Sequence, residues 1–225
     1  MSRSERLIDA EALKDKTVGI VGVGGLGTTA AALLARQGIN LVLADGDIVE
    51  ETNLERQILY GKADVGRPKV WIAREHLAEF CHIVAVFEHI DSETIAMLED
   101  VDLILDCTDS IETRLVIDAF SKEKGVPWIY SAGVKTIGAL YFNDPHERNR
   151  PAFTDFSKGK VGESACDVGV LNATVSAVAS LSVKMAVDYL LNGSYPQGML
   201  RLDLDSYTIS EVDMRKMLRV NQDGC

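Results

Sequence analysis

The sequence predicts an α/β fold, a Rossmann-like doubly wound and mostly parallel sheet with antiparallel C-terminal strands, and three observations carry that expectation. Short apolar runs alternate with helical ones from Thr17 to Ser131, a glycine-rich turn joins the first run to the first helix, and the alternation stops after Phe142. Such alternation implies right-handed crossovers with helices on both faces of the sheet.

The first strand, Thr17 to Val21, is a continuous apolar run that ends at Gly22 and opens into a helix from Thr28 to Gln37. A second apolar run, Leu41 to Ala44, is followed by a helix from Pro68 to Phe80, with Pro68 suited to the first helical turn. Strand Ile83 to Phe87, a short helix Ser92 to Leu98 and strand Leu103 to Asp106 come next. Helix Ile111 to Lys122 has Asp109 as its candidate N-cap, with Glu112 three residues later in a capping-box pattern. Strands Trp128 to Ser131 and Gly138 to Phe142 follow. The polar stretch from Asn143 to Glu163 is too long for an ordinary connection and reads as a functional crossover loop over 143–166. A long helix fills Val168 to Leu191, and strands Met199 to Leu204 and Tyr207 to Val212 pair antiparallel around Asp205-Ser206.

At 225 residues and 47% hydrophobic content the chain supplies one complete α/β core, so residues 1–225 are expected to form a single domain with an N-terminal arm over 1–15. The net charge of −11 argues against nucleic acid and against an anionic membrane as partner. The Val168 to Leu191 segment is long enough to span a bilayer, but Asn172, Lys184 and Asp188 interrupt it and favour a buried helix, one that suits a subunit contact. The polar, charged start of the chain carries no secretory signal, and four cysteines without disulfide-like spacing fit a reducing cytoplasm.

Chemistry concentrates between Thr17 and Lys69. Gly22, Gly24 and Gly27 have the G-x-G-x-x-G spacing, with Gly25 inside it, that lets backbone amides and a helix N-terminus approach phosphate oxygens. Asp45 ends the next strand, about 20 residues on, where a carboxylate accepts hydrogen bonds from a ribose; Asp47 could share or take that role. Asn53 and Arg56 lie one helical turn apart, and Lys69 sits near a helix N-terminus facing the carboxyl edge of the sheet. An ordinary NAD site needs no such cations after its ribose acid, whereas phosphoryl and nucleotidyl transfer do, which moves the expectation toward ATP. Asp109, just beyond the strand ending at Asp106, could hold a magnesium ion on ATP phosphates or simply cap a helix. Cys107 reads as a buried filler. Cys166, before the long helix, is balanced between a nucleophile and a structural thiol. The histidines do not cluster and no Cys-x-x-Cys pair occurs, so zinc is not expected.

These motifs in this order, Gly22-Val23-Gly24-Gly25-Leu26-Gly27, Asp45-Gly46-Asp47, Asn53-Leu54-Glu55-Arg56-Gln57, Gly66-Arg67-Pro68-Lys69 and Asp106-Cys107-Thr108-Asp109, resemble the family of MoeB, ThiF, HesA and the adenylation domains of ubiquitin-activating enzymes. Gly169-Val170-Leu171 fits that family's crossover segment, and the resemblance covers nearly the whole chain. It implies an adenylyltransferase that uses ATP and magnesium to activate the C-terminal glycine of a ubiquitin-like carrier ending in Gly-Gly. It implies further that Asp45 holds the ribose, that Asn53, Arg56 and Lys69 contact phosphates, and that Asp109 holds magnesium. By the same resemblance the protein is a homodimer in which Arg6 of the N-terminal arm reaches the partner's site, although the stretch from Arg6 to the glycine turn is shorter than the family pattern. Cys166 matches the position at which some members form a thioester or acyl disulfide. The family's zinc cysteines are missing near Arg150 to Asp155, and the absence of a C-terminal sulfurtransferase domain implies a separate sulfur donor. Adenylation for protein conjugation or of another acyl substrate, an NAD-dependent dehydrogenase and a non-catalytic partner subunit are the competing readings.

Overall fold

The computed structural model describes residues 9–147, 151, 153, 154 and 168–215. Within them, strands β1 (Thr17–Val21), β2 (Asn40–Ala44), β3 (Ile83–Val86), β4 (Leu103–Asp106), β5 (Trp128–Val134), β6 (Ile137–Asn143), β7 (Met199–Asp203) and β8 (Thr208–Val212) form one sheet in the order β3-β2-β1-β4-β5-β6-β7-β8. From β3 to β5 every neighbour is parallel; from β5 to β8 every neighbour is antiparallel. The helices are α1 (Ala10–Leu13), α2 (Gly25–Ala35), α3 (Lys69–Leu77), α4 (Ile111–Lys124) and α5 (Asn172–Asn192). The expected alternation, and the antiparallel pairing around Asp205-Ser206, are both present.

Two apolar layers flank the sheet. One joins α2, α3 and α5 to the strands through Ala30, Leu34, Ile72, Val178 and Val183; the other joins α4 and the 3-10 turn Thr94–Leu98 through Ile117, Phe120, Ile95 and Leu98. The strands between them are buried on both faces, which is why Val18, Ile20, Leu103, Ile104 and Leu105 read as unbroken apolar runs. Helix α5 lies across β4, β5 and β6 and against α2. It is long and apolar enough to cross a membrane by length and composition, yet half of its most apolar window is buried inside the protein. Its outer face carries Ser180 and a Lys184–Asp188 ion pair, the i,i+4 arrangement of a solvated helix face.

Several boundaries differ from the sequence expectation for physical reasons. Helix α2 begins at Gly25, three residues before the expected Thr28, because the glycine turn itself supplies the first helical turn, with Gly24 at the N-cap and Thr28 N–H bonded to Gly24 O at 2.9 Å. The N-cap of α4 is Ser110, not Asp109: Ser110 Oγ accepts from Thr113 N–H at 3.1 Å and leaves Asp109 exposed on the preceding loop. Ser92 to Leu98 forms a 3-10 turn over Thr94–Leu98, not an α-helix. Strands β5 and β6 extend toward each other to meet in a tight hairpin at Lys135, which takes φ 54°. Of the crossover loop, Phe153 is buried against Trp128 and Tyr130, with ring centroids 5.5 and 5.6 Å away, and Tyr141 O–H donates to Pro151 O at 2.8 Å.

Candidate functional site

The strand order reverses between β1 and β4, and in open parallel sheets the crevice at such a switch point is where ligands bind. The turn after β1 is built for close backbone approach. Gly22 has φ +86°, a value that disfavours any side chain, and a Cβ there would lie 2.9 Å from Cys107 O at the end of β4. A Cβ on Gly27 would meet Gly22 O at 2.0 Å, so this glycine lets helix α2 fold directly onto the turn. Gly24 is the open position, with Gln57 Nε2 the nearest atom to its missing Cβ at 3.6 Å. A Cβ on Gly25 would meet Val175 Cγ1 of α5 at 2.8 Å, so its small size also serves the packing of α2 on α5.

The turn is locked from both sides. Val23 N–H donates to Asp45 Oδ2 at 2.6 Å, and Val23 O accepts from the buried Tyr60 hydroxyl at 2.7 Å. Asp45 Oδ1 accepts from Asp47 N–H at 2.8 Å, so the ribose acid proposed from sequence is also a strut between the glycine turn and the loop after β2. Burial raises the Asp45 carboxyl above its ordinary value, with nearby Lys69 and the two backbone donors pulling the other way.

That direction carries a pH prediction. The folded protein holds the Asp45 proton more tightly than the unfolded chain, so this group favours folding at acidic pH and the contribution is lost as pH rises through its folded pKa. With Asp45 as the expected ribose acceptor, ionisation strengthens the bonds it accepts, so nucleotide affinity is expected to fall on acidification in a range above that of an ordinary aspartate, and Asp45→Asn to remove the dependence. Calorimetric titration across that pH range checks it; an unchanged pH profile in Asp45→Asn counts against the ribose role.

Lys69, the first residue of α3 after N-cap Pro68, leaves only 7% of its side chain exposed. Its Nζ pairs with Asp47 Oδ2 at 2.7 Å, and Asp47 is 56% exposed. One carboxylate oxygen of Asp47 is therefore held by the lysine. Asn53 turns inward: its Oδ1 accepts from Glu50 N–H at 3.1 Å and closes the 3-10 turn Glu51–Asn53. Arg56 Nη1 reaches Thr52 O at 3.1 Å and Glu55 Oε1 at 3.2 Å, and its stem lies 3.7 Å from the Cβ position of Gly25 at the start of α2. The glycine turn, Asp45, Lys69 and Arg56 thus share one end of the sheet, with both cations engaged by protein oxygens.

Asp109 stands on the loop after β4, exposed, and this loop is held by a residue that sequence reasoning missed. Arg114 is buried on α4; its Nε donates to Asp106 Oδ2 at 2.8 Å, its Nη2 donates to Thr108 O, and its guanidinium lies 4.7 Å from the centre of the Tyr130 ring. Asp106 is fully buried, and its other oxygen accepts from Thr108 N–H and Oγ1 at 3.0 and 2.7 Å. Burial is the largest single effect on the Arg114 charge and opposes it, but the Asp106 carboxylate and its hydrogen bond, with Tyr130 and Asp109, together raise the guanidinium pKa above its ordinary value. The available signal was an arginine inside the apolar stripe of α4, between Ile111 and Ile117. Gln57 beside the turn is buried, and its Oε1 has no hydrogen-bond partner among the described residues.

Cys107 is partly buried against the core, and desolvation with the adjacent Asp106 pushes its thiol far above its ordinary range, which disfavours a nucleophile. Arg6 and Cys166 lie outside the described residues. No group of three or more His, Cys, Asp and Glu side chains is gathered as a metal cage among the described residues. A single exposed carboxylate at Asp109 nevertheless fits magnesium, which keeps its waters and binds through one or two carboxylates plus substrate phosphates.

The sequence matches the model of the ThiF family over residues 5–225. It is 32% identical over 222 residues to the molybdopterin-synthase adenylyltransferase of Escherichia coli, covering 96% of this chain and 88% of that one. It is 33% identical over 196 residues to the sulfur carrier protein ThiS adenylyltransferase of Escherichia coli, covering 84% of this chain and 78% of that one. Among solved structures, Escherichia coli MccB crystallised with ATP shares the fold with a TM-score of 0.79 at 20% identity, over 91% of this chain and 65% of that chain.

Proposed function

Because the chain belongs to the ThiF family and is an adenylyltransferase, we propose that it uses ATP to adenylate the C-terminal glycine of a ubiquitin-like sulfur carrier ending in Gly-Gly, for sulfur transfer in molybdopterin, thiamine or thiolated-tRNA synthesis. The observation that supports this most directly is the buried Lys69 beside Asp45 at a locked glycine turn. A dinucleotide site has no use for a lysine held there, whereas transfer of an adenylyl group generates charge on the departing phosphates that a fixed cation stabilises.

In this reading the amides of the glycine turn and the N-terminus of α2 receive the phosphates, and Asp45 accepts from the ribose. The carrier's terminal carboxylate oxygen attacks the α-phosphorus, the bond to the bridging oxygen of the β-phosphate breaks, and pyrophosphate leaves. The attacking carboxylate is already ionised at neutral pH, so no residue needs to take a proton. Lys69 exchanges Asp47 for phosphate oxygens, and Arg56 and Asn53 line the same end of the chain of phosphates. Asp109 holds magnesium, which supplies further neutralisation of the phosphates when bound. Arg6 from a partner subunit completes the site of a homodimer, a separate protein donates sulfur in the cytoplasm, and zinc takes no part. The Cys166 thiolate attacks the carbonyl carbon of the carrier's acyl adenylate, forming a thioester as the acyl–phosphate C–O bond breaks and AMP leaves; Cys166→Ala is expected to keep pyrophosphate exchange and lose sulfur transfer, and undiminished transfer would remove that role.

The test is exchange of labelled pyrophosphate into ATP, with magnesium, in the presence and absence of small host proteins ending in Gly-Gly. Exchange that depends on one carrier supports the reading and identifies the partner. ATP binding without exchange with any such carrier points to another acyl substrate.

A further inference from the structure

We infer that His89 forms the base-side wall of the nucleotide site and makes it prefer a purine. The inference rests on the reading above, in which Asp45 holds the ribose. Three neighbouring strand ends line the sheet edge here: the glycine turn after β1, Asp45 after β2 and the segment carrying His89 after β3. Neighbouring strands are about 4.8 Å apart. A nucleotide with phosphates at the N-terminus of α2 and ribose at Asp45 therefore lays its base one strand further along, above the end of β3.

The loops after β2 and β3 run together there, with Asp45 N–H bonded to Val86 O at 3.3 Å. The His89 ring rests directly on Gly46, between the two acids of Asp45-Gly46-Asp47. A Cβ at residue 46 would lie 2.6 Å from both Cδ2 and Nε2 of that ring, so the contact exists only because residue 46 is glycine. Nε2 lies 4.0 Å from Asp47 Oδ1, the carboxylate that also binds Lys69. The backbone behind the ring is held, because His89 O accepts from Thr94 Oγ1 at 2.9 Å and Ile90 is buried. The side chain itself is 79% exposed, which leaves an aromatic surface open beside the ribose acid. Stacking on such a surface recognises a base through its π-face, and a purine offers the larger overlap.

Calorimetric titration near neutral pH with ATP, CTP and inorganic tripolyphosphate, on the wild type, His89→Ala and His89→Phe, tests this. His89→Ala is expected to weaken ATP about 10-fold, to narrow the preference for ATP over CTP, and to leave tripolyphosphate unchanged. His89→Phe, which keeps an aromatic face, should retain most of the ATP affinity. Equal ATP affinity in the wild type and His89→Ala overturns the inference while leaving the adenylation reading standing. Parallel loss of ATP and tripolyphosphate also overturns it, because the side chain would then be supporting the loop and not the base. A wild type that binds no ATP overturns the adenylation reading itself.

Discussion

Lys69→Ala is expected to lower carrier-dependent pyrophosphate exchange by about 10²- to 10³-fold, the loss typical of removing one fixed donor from a site where charge develops. The folded state should lose little. Lys69 is buried, but its partner Asp47 is 56% exposed and returns to water when the lysine is gone, so removing the lysine leaves its ion-pair partner solvated and not stranded. The substitution also withdraws the cation that opposes burial at Asp45, so that carboxyl moves further above its ordinary value and ATP affinity becomes more sensitive to acid. Lys69→Arg should not restore exchange: the planar guanidinium has different reach and hydration from a compact ammonium in a pocket with 7% exposure. The checks are exchange rate and a urea unfolding curve on the same preparations. Undiminished exchange in Lys69→Ala would remove the lysine from the chemistry, and a collapsed unfolding midpoint would make it a structural residue.

What the sequence made legible is what depends on local pattern. The unbroken apolar runs of β1, β2 and β4 follow from burial on both faces, and the glycine spacing follows from the approach of Gly27 to Gly22 O, which no side chain permits. Features decided by distant contacts were less legible. Gly25 stands in the glycine turn, and its small size answers also to Val175, far along the chain in α5, which packs on it. The β5–β6 hairpin ran past the expected strand ends because its turn uses Lys135 at positive φ, where sequence normally signals with glycine or asparagine. Asn53 and Arg56 lie one helical turn apart, and that spacing does not announce the capping bond by which Asn53 Oδ1 accepts from Glu50 N–H. The Lys69–Asp47 pair joins residues too far apart for any spacing rule to announce it.

Arg114→Ala should be the most destabilising substitution near the site, by about 3–5 kcal/mol, because it strands the fully buried carboxylate of Asp106 without its counter-charge. That is a large share of the roughly 5–15 kcal/mol that holds an ordinary domain folded. Thr108 still donates two hydrogen bonds to the other carboxylate oxygen, so part of the desolvation cost remains offset. The loop bearing Asp109 loses both the Nη2 bond to Thr108 O and the guanidinium stacked on Tyr130, so exchange should fall further than the unfolded fraction explains. Arg114→Lys is not a substitute, since one ammonium lacks the forked donors that bond Asp106 and the Thr108 carbonyl while the guanidinium carbon sits over the Tyr130 ring. The origin of the cost can be isolated by adding Asp106→Asn to Arg114→Ala. Removing the stranded charge should recover a substantial part of the lost stability, seen as a return of the urea midpoint with unchanged slope. If the double variant instead loses the sum of the two single effects, the buried pair is not what Arg114 stabilises, and its contribution lies in the loop and ring contacts alone.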